Sequence, residues 1–431
     1  MELPPAPSSD PGFTGPIPPQ TTLDARILVV AQIGAGSMGY VYRGFDLALE
    51  REVAVKVLHP RYRDNADLIQ RFIAEARALA RLRSEQIVQI YSFGSYEGLP
   101  YFVMEFFPRS IEDLLRGTLA VGDRLEMAVV LGILRQVSRG LSLIHEQGLV
   151  HRDVKPSNML MDTRVRTVIA DFGVAETVDS QRSGICGTPT YLAPELLTDH
   201  PDDVPAELRT RADIYAFATS AYELLTGRPP FAGRPLASLL RAHKQENAPP
   251  ASVFREDLAP AVDAVLDRGL AKDPAARPAT SEAFMDELAE AAEGAPPASP
   301  TALLPLRRLL LIDNDAEHAA LLNGALKVGV RALRVHVARD GEIGLMLART
   351  LRPDLVVCEL ELPALNGVEL IATLRSEDIT AELPVIVVSS KIGEAEAPLL
   401  AHLGVVEQVG KPVDLASFVD TIKDHLPRRT P

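Results

Sequence analysis

Residues 151–158 read HRDVKPSN, and the interpretation of the whole chain depends on this stretch. It places Asp153, Lys155 and Asn158 at short intervals in a loop that a proline interrupts. Eighteen residues after Asp153, the tripeptide DFG begins with Asp171. Asn158 and Asp171 offer the oxygen ligands that Mg²⁺ prefers beside phosphate groups. Asp153 is then left to accept the proton of an attacking hydroxyl, and Lys155 to neutralise charge on a transferring phosphoryl group.

A glycine-rich stretch lies upstream, IGAGSMGYVYRG, in which Gly34, Gly36 and Gly39 follow a G-x-G-x-x-G spacing. Without a Cβ, such residues let backbone amides close on phosphate oxygens. The same spacing opens dinucleotide-binding folds, but a helix follows the glycines there, whereas YVYRGFD is β-like. The dinucleotide interpretation therefore fails, and the stretch predicts a phosphate-binding loop between strands.

A lysine and a glutamate form the next candidate pair. The run VAVK ends in Lys56, seventeen residues after Gly39, and its ammonium can grip phosphates if another group orients it. Glu75 stands 19 residues further on, on the polar side of the amphipathic helix DLIQRFIAEARALARL. A single Lys or Glu is usually a solvated surface group, so the pairing is a hypothesis at this point.

The composition describes a folded, acidic chain of 431 residues, long enough for two or three domains. Asp and Glu number 58 against 44 Lys and Arg, and the formal net charge of -14 argues against nucleic-acid binding. No stretch approaches the roughly 20 apolar residues of a membrane span, and no signal-peptide pattern opens the chain, so we expect a cytoplasmic protein. Cys186 and Cys358 lie far apart without a CxxC pattern, which favours ordinary thiols over a disulfide or zinc site.

Changes of composition divide the chain into a tail, two domains and a linker. Residues 1–24 are crowded with Pro, Ser and Gly, which predicts a disordered tail, and the Ala/Pro-rich stretch 291–305 predicts a linker. Residues 25–290 begin with β-rich runs and one amphipathic helix and continue with helical patterns, which predicts an α+β domain of two lobes. Residues 306–428 alternate apolar strands with helix-like segments, the rhythm of parallel βαβ units in a flavodoxin-like (βα)5 α/β sheet.

The motifs of the first domain occur in an order that resembles the signature set of the eukaryotic-like bacterial serine/threonine protein kinases. Over about residues 27–288 they are GAGSMG, VAVK, the helix residue Glu75, HRDVKPSN, DFG, GTPTYLAPE, ADIYAF and DPAARP. The resemblance implies a two-lobed protein kinase fold that transfers the γ-phosphoryl group of ATP, with Mg²⁺ or Mn²⁺, to Ser and Thr hydroxyls of proteins and of itself. A nucleotide-binding pseudokinase scaffold is the alternative, and the intact motifs oppose it.

By this resemblance Lys56 pairs with Glu75, Asp153 is the catalytic base, and Asn158 and Asp171 hold the metal ion. Lys155 after HRDV points to the serine/threonine class rather than to tyrosine kinases. The residues expected around the nucleotide are Gly34, Gly36, Gly39, Val41, Ala54, Lys56, Met104, Glu105, Phe107 and Leu160. Scaffold roles are implied for a Thr188 contact with the catalytic loop, a Glu195–Arg277 ion pair, and Asp213 against the catalytic-loop backbone.

The segment from Asp171 to Glu195 corresponds to the activation segment of these kinases. Arg152, beside the catalytic base, is the arginine that pairs with a phosphorylated activation segment in relatives. The hydroxyl residues of this segment are Thr177, Ser180, Ser183, Thr188 and Thr190. Ser180 or Ser183 is the preferred phosphorylation site.

Polar residues follow the strands of the second domain where those strands end. They are Asp313 and Asn314 after RLLLI, Glu359 after DLVVC, Ser389 after PVIVV, and Lys411 before a proline. Because the carboxyl ends of parallel strands share one edge of a sheet, these side chains are expected to converge. The set resembles the receiver domain of two-component response regulators. In that family an acidic pair binds magnesium and an aspartate accepts the phosphoryl group. A Ser or Thr and a Lys then detect that the aspartate is phosphorylated.

Two positions depart from the receiver pattern and predict a degenerate, pseudo-receiver domain. Glu359 stands at the phospho-acceptor position, where an extra methylene moves the carboxylate by about 1.5 Å, and such a misplacement costs about a hundredfold in rate. Asn314 replaces one acid of the pair and weakens a magnesium site. One hypothesis is that Glu359 reaches Lys411 and holds the domain near an activated conformation, which makes it a phosphate-independent interaction module. The alternative is that the domain serves only packing or dimerisation. A hybrid response regulator that still accepts phosphoryl groups is the third alternative.

The expected partners are proteins. They comprise substrates with Ser or Thr, a protein that docks on the receiver-like domain, and a second copy of the chain. The C-terminal helix LASFVDTIKDHL has an apolar face that fits dimerisation, although covering the sheet is the simpler interpretation. No nucleic acid and no membrane span are expected.

Overall fold

The fold is taken from a computed structural model. It describes residues 14–36, 38–120, 124–162, 165–171, 188–197, 205–293, 307–330, 333–390 and 396–427. Within these residues the chain forms a small β lobe, a larger helical lobe, and a C-terminal α/β domain.

The small lobe is a six-stranded antiparallel sheet with one helix packed on it. The strand order is β1-β2-β3-β4-β6-β5. The strands are β1 Thr22–Leu23, β2 Ile27–Ala35, β3 Gly39–Asp46, β4 Arg51–Leu58, β5 Ile90–Tyr96 and β6 Leu99–Glu105. Helix α1, Ala66–Arg81, begins at Asn65, whose side chain accepts a hydrogen bond from the Leu68 amide. It buries Phe72 and Glu75 against this sheet, which fixes the glutamate over the interior of the lobe.

Residues 14–24 differ from the predicted disordered tail. Ile17 is fully buried, and its amide donates a hydrogen bond to the Tyr42 hydroxyl at 3.2 Å. Strand β1 pairs with β2, and Leu23 joins the same apolar cluster as Ile17. The prediction of a tail through residue 24 was therefore wrong for its second half, because Ile17 and Leu23 are buried in the apolar cluster on one face of the sheet. Residues 1–13 lie outside the described residues.

The large lobe is built mainly from helices. They are α2 Ile111–Ala120, α3 Met127–Glu146, α4 Arg211–Thr226, α5 Leu236–Gln245, α6 Pro260–Gly269 and α7 Ser281–Glu293. A small sheet of strands β7 Arg109–Ser110, β8 Met159–Met161 and β9 Thr167–Ile169 lies beside the junction of the lobes. Helix α7 continues past the predicted domain limit at residue 290. The expectation that no stretch approaches the apolar length of a membrane span was wrong for α3. Among the described residues, it alone has that length and apolar content, and more than half of it is buried in this lobe.

The C-terminal domain contains the five predicted strands in one parallel sheet, ordered β11-β10-β12-β13-β14. The strands are β10 Arg307–Ile312, β11 Leu333–Ala338, β12 Leu355–Cys358, β13 Val385–Ser389 and β14 Glu407–Gly410. The helices are α8 Ala316–Gly329, α9 Gly341–Leu351, α10 Gly367–Ser376, α11 Glu396–His402 and α12 Leu415–His425. Phe418 and Ile422 of α12 pack in a cluster with Leu309 and Leu311 of β10, so the apolar face of the last helix covers the sheet.

Candidate active site

A cleft of about 610 Å³ lies between the two lobes, a size that suits a small-molecule ligand. Both lobes contribute to its walls. Every residue predicted around the nucleotide lines it, namely Gly34, Gly36, Gly39, Val41, Ala54, Lys56, Met104, Glu105, Phe107 and Leu160. The residues predicted for phosphoryl transfer, Asp153, Lys155, Asn158 and Asp171, line the same cleft.

The glycine-rich stretch forms the β2–β3 turn over this cleft. The Gly36 amide donates a hydrogen bond to the Gly39 carbonyl oxygen at 2.8 Å, which closes the turn. A Cβ on Gly39 would lie only 1.9 Å from the carbonyl oxygen of Val57, so no larger residue fits without moving β3 or β4. Around Gly36, the nearest atom to such a Cβ is 4.0 Å away. The two glycines therefore have different roles. Gly39 permits β3 and β4 to pack closely, and Gly36 leaves space above the cleft.

Lys56 joins the two lobes through an ion-pair cluster. Its Nζ donates to Glu75 Oε1 at 3.1 Å and to Asp171 Oδ1 at 2.8 Å, and only 8% of its side chain is exposed. Burial lowers the pKa of Lys56, but the charges of Asp171 and Glu75 outweigh burial and raise this pKa above its ordinary value. Burial acts to raise the pKa of Asp171, and the Lys56 charge brings this pKa below its usual range. Lys56 and the Asp171 carboxylate are therefore both ionised at neutral pH.

Asp153 lies at the floor of the cleft among polar partners. Its Oδ2 accepts a hydrogen bond from Asn158 Nδ2 at 2.8 Å and lies 2.7 Å from Lys155 Nζ. Thr188 bridges the lysine and the aspartate, because its Oγ1 accepts from Lys155 Nζ at 2.6 Å and donates to Asp153 Oδ1 at 3.2 Å. The predicted contact of Thr188 with this loop is thus present. The four side chains hold one another in position around a carboxylate that faces the cleft.

Asp213 at the start of α4 holds the backbone of this loop. It is fully buried, and its carboxylate accepts hydrogen bonds from the amides of His151 and Arg152, each at 2.7 Å. Burial acts to raise the pKa of Asp213, but its hydrogen bond with His145 helps to lower the pKa below the usual range. Arg152 has a φ of +67° and Asp171 a φ of +56°. Positive φ is rare for such residues and marks a backbone that its surroundings force into place.

The activation segment is described only at its C-terminal end. Arg277 and Glu195 form a bidentate ion pair, in which Nη1 and Nη2 of Arg277 donate to Oε1 and Oε2 of Glu195 at 2.6 and 2.7 Å. The Arg277 side chain is fully buried. This is the predicted scaffold pair. The candidate phosphorylation sites Thr177, Ser180 and Ser183, with Cys186, lie outside the described residues.

A second polar cluster lies at the carboxyl ends of β10 and β12 in the C-terminal domain. Lys411 Nζ is 2.6 Å from Glu359 Oε2 and donates to Asp313 Oδ2 at 3.1 Å. Asp313 and Glu359 are both buried. Burial lowers the pKa of Lys411, but its bonds to Glu359 and Asp313 outweigh burial and raise this pKa. The hypothesised contact between Glu359 and Lys411 is confirmed.

The other predicted residues of this edge take different positions. Asn314 is exposed, and Ser389 is buried at the end of β13, where its carbonyl oxygen accepts a hydrogen bond from the Lys411 amide at 3.1 Å. Asp315, the next acidic residue, begins α8 rather than adding a second buried acid, because its Oδ1 accepts hydrogen bonds from the Glu317 and His318 amides. The acidic pair of the receiver pattern is therefore reduced to one buried carboxylate.

A family model described as a protein kinase domain matches residues 27–288, more than half of the chain. The chain belongs to the protein kinase family. A second model, described as a response regulator receiver domain, matches residues 309–423. Both predicted families are thus confirmed.

Relatives and solved structures agree on the class of kinase. Serine/threonine-protein kinase PknL of Mycobacterium tuberculosis is 35% identical over 326 residues, which cover 75% of this chain and 75% of PknL. Serine/threonine-protein kinase Pkn1 of Myxococcus xanthus is 38% identical over 269 residues, 60% of this chain and 37% of Pkn1. The crystal structure of the M. tuberculosis PknI kinase domain has a TM-score of 0.52 at 30% identity and covers 64% of this chain and 99% of that domain. The protein is a serine/threonine protein kinase with a C-terminal receiver domain.

Several polar residues of this kinase escaped the sequence interpretation. Arg109, Asp113 and Arg116 line the outer part of the cleft, beyond the hinge, the segment of residues 105–107 that leads from β6 to β7. Arg166 forms an ion pair with the hinge residue Glu105. In the receiver domain, His318 Nδ1 lies 2.5 Å from Asp313 Oδ2. None belongs to a motif with fixed spacing, so only the folded chain shows that they matter.

Proposed function

We propose that this kinase transfers the γ-phosphoryl group of ATP to Ser and Thr hydroxyls of proteins, and of its own activation segment, with Asp153 as the catalytic base. One observation carries the proposal. The Lys56–Glu75–Asp171 cluster and the Asp153–Lys155–Thr188 cluster open on the same cleft, beneath a glycine turn. Phosphoryl transfer needs positioning and charge stabilisation more than covalent chemistry, and these two clusters supply both.

The residues of the cleft fit a divalent metal ion with a nucleotide. Asn158 uses Nδ2 for its hydrogen bonds to Asp153, and its Oδ1 is the atom with the chemistry of a metal ligand. Asp171 exposes 41% of its side chain beside it in the same cleft. A carboxylate and an amide oxygen, completed by phosphates and water, form the ligand set that Mg²⁺ prefers, and Mn²⁺ accepts the same ligands. Bound there, the ion neutralises negative charge on the phosphates.

The residues of this chain act in distinct ways on the two substrates. Lys56 binds nucleotide phosphates as a point charge, and Glu75 keeps its ammonium directed into the cleft. Asp153 accepts the hydrogen bond of the substrate hydroxyl, orients it, and takes its proton as the hydroxyl oxygen bonds to the γ-phosphorus and the bond from that phosphorus to the ADP leaving group breaks. Lys155 neutralises charge on the transferring group, and Thr188 holds Lys155 and Asp153 in register.

The proposed organisation assigns residues 25–290 to catalysis, residues 291–305 to a linker, and residues 306–428 to a receiver-like domain. Residues 14–24 are included with the catalytic domain, because they complete its small-lobe sheet. The proposed partners are substrate proteins and a protein that docks on the receiver-like domain, and the proposed location is the cytoplasm.

The test is autophosphorylation of the purified full chain with ATP and Mg²⁺, with mass spectrometry to locate the sites. Asp153→Asn keeps the volume of the side chain and removes the base, so we expect the rate of autophosphorylation to fall by at least about a hundredfold. The matched control is Asp286→Asn, which removes an exposed carboxylate of α7 that does not line the cleft. Nucleotide binding by the Asp153→Asn variant shows that the cleft is intact. Equal phosphate incorporation in Asp153→Asn and wild type would refute the proposed base.

For the receiver-like domain, we propose a phosphate-independent interaction module. Lys411 already contacts the Glu359 carboxylate at 2.6 Å, so the charged partner that a phosphorylated receiver creates is built into the chain. The wild type should take up no label from a small phosphodonor such as acetyl phosphate. Glu359→Asp with Asn314→Asp restores the acidic pair and the shorter acceptor, and we expect labelling of that double variant. Labelling of the wild type would favour the hybrid response regulator instead.

A further inference from the structure

The receiver domain contacts the large lobe through strand β11 and helix α9. Strand β11 approaches α2, and α9 approaches α3. Ile343 and Leu347 of α9 belong to the same contiguous buried cluster as Leu115 and Val130 of the large lobe. A Cβ on Gly117 of α2 would lie 3.8 Å from Cδ1 of Ile343. The contact therefore contains a packed apolar part.

Ion pairs accompany this apolar contact. Arg109 Nη2 donates to Asp340 Oδ1 at 3.1 Å and to Glu342 Oε2 at 3.2 Å, and only 14% of the Arg109 side chain is exposed. A second pair joins Glu126 at the start of α3 to Arg334 of β11 at 3.0 Å. A largely buried arginine with two carboxylates is held more firmly than an exposed ion pair, because water competes less for its hydrogen bonds.

Arg109 belongs to the nucleotide cleft as well as to this interface. It lies two residues after the hinge and lines the cleft. Its backbone forms strand β7, in which Arg109 pairs with Met161 and Ser110 with Leu160 of β8. Leu160 lines the cleft too. The side chain that the receiver domain holds therefore belongs to the strand that continues from the hinge along the nucleotide site.

Asp340 also connects to the loop that follows Glu359. Its Oδ1 accepts a hydrogen bond from the Ile343 amide at 2.7 Å, so Asp340 is the N-cap of α9. The next residue, Gly341, donates its amide to the Pro363 carbonyl oxygen at 3.4 Å. A Cβ on Gly341 would lie only 1.9 Å from the Leu365 carbonyl oxygen. The loop after Glu359 thus packs directly on the corner that contacts the kinase domain.

We propose that the receiver domain regulates nucleotide binding from within the chain: it docks on α2 and α3 and, through Asp340 and Glu342, holds Arg109 at the mouth of the nucleotide cleft. Docking orders the segment after the hinge before the nucleotide arrives, which raises nucleotide affinity. By linkage, bound nucleotide strengthens docking to the same extent. The inference rests on the proposed nucleotide site and adds a regulatory surface to it.

The first test changes only the charges of the interface. Asp340→Asn with Glu342→Gln keeps side-chain size, and Asn serves as well as Asp at an N-cap, so α9 keeps its start. The control, Asp420→Asn with Asp424→Asn, makes the same change in net charge on exposed positions of α12. We measure the affinity of the full chain for a non-hydrolysable ATP analogue with Mg²⁺. We expect the interface variant to bind about fivefold more weakly or worse, and the control to bind as the wild type does.

The second test separates docking from the charge of Arg109. Gly117→Arg places a long side chain against Ile343 but leaves every cleft residue unchanged, and arginine is a better helix former than glycine. We expect the same loss of nucleotide affinity, together with faster amide hydrogen exchange in α9. Conversely, the nucleotide analogue should slow exchange across α9 in the wild type and not in either interface variant.

Each outcome bears on a different part of the proposal. Faster exchange in α9 with unchanged nucleotide affinity would show that the domains dock without coupling, which overturns the proposal. Unchanged exchange in Gly117→Arg would show that the contact does not hold the domains together in solution, and overturns it as well. A wild type that binds no nucleotide contradicts the proposed function and the coupling together. Wild-type binding with unaltered affinity in both variants contradicts only the coupling.

Discussion

Lys411→Met tests whether the receiver domain depends on its internal ion cluster. The change keeps most of the side-chain length and removes the cation that lies 2.6 Å from Glu359 and 3.1 Å from Asp313. These carboxylates expose only 6% and 2% of their side chains. Removing one partner from a buried cluster leaves uncompensated charge and costs about 3–5 kcal/mol. Because 20% of the Lys411 side chain is exposed, some water reaches the cluster. We therefore expect the unfolding free energy to fall by the lower end of this range, about 3 kcal/mol at pH 8.

The pH dependence gives the sharper prediction. Burial lowers the pKa of Lys411, but its bonds to Glu359 and Asp313 outweigh burial and raise this pKa above its ordinary value. A group whose pKa is raised on folding contributes stability that is complete below its unfolded pKa and is lost as the pH rises through the folded value. The unfolded pKa of lysine is about 10.4, so the loss of unfolding free energy in the variant keeps its full size between pH 7 and pH 9.

The assay is hydrogen exchange of β12 and β13 in the full chain, which measures the opening free energy of the receiver domain separately from the kinase lobes. Lys423→Met, which removes an exposed lysine paired with Asp420, is the control and should change that free energy by less than about 0.5 kcal/mol. Adding Glu359→Gln to Lys411→Met removes one of the two buried charges that have lost their cation, and should recover part of the lost unfolding free energy. A loss of unfolding free energy below about 1 kcal/mol, or one that changes by more than half between pH 7 and pH 9, would refute the reasoning.

Three further predictions concern the kinase domain. Gly39→Ala should lower the unfolding temperature by an amount equivalent to about 1–3 kcal/mol, because its Cβ meets a carbonyl oxygen; Gly36→Ala in the same turn is the control, and equal effects would contradict the packing argument. Arg277→Ala should cost about 3–5 kcal/mol in denaturant unfolding, since it strands a nearly buried Glu195, whereas Arg268→Ala, at an exposed pair with Glu287, should be nearly neutral. Asp213→Asn should cost about 3 kcal/mol at pH 7. Because the pKa of Asp213 is lowered, its contribution to stability is complete above about pH 4 and fades as the pH falls further. The difference in unfolding free energy between Asp213→Asn and wild type must therefore narrow in acid.

Two ion pairs were predicted from the sequence on different grounds. The residues alone made the Lys56–Glu75 pair a hypothesis, and the resemblance to protein kinases implied it. Glu359 and Lys411 meet because parallel strands end at one edge of a sheet. By contrast, the Arg109–Asp340 pair joins residues 231 positions apart on surfaces of separate domains. Neither residue belongs to a periodic pattern, so composition and spacing carry no signal for their contact.

The N-terminal segment failed prediction for a related reason. Composition averages over a window, and a window rich in Pro, Ser and Gly hides single apolar residues such as Ile17. Whether one residue is buried depends on whether a neighbouring surface has room for it, here the face of the sheet that presents Tyr42. That information resides in the three-dimensional fold and not in the local sequence.

Both domains place one lysine between two carboxylates, and the difference in exposure separates their roles. In the kinase cleft, Asp171 exposes 41% of its side chain, so it can exchange its bond to Lys56 for other partners when substrates bind. In the receiver domain, Asp313 and Glu359 expose 2% and 6%, and both are already joined to Lys411. An incoming phosphoryl group must break these bonds in a site from which water is largely excluded, at a cost that it recovers only by making equivalent bonds. The first cluster is therefore suited to turnover, and the second to holding one conformation of the domain that docks on the kinase.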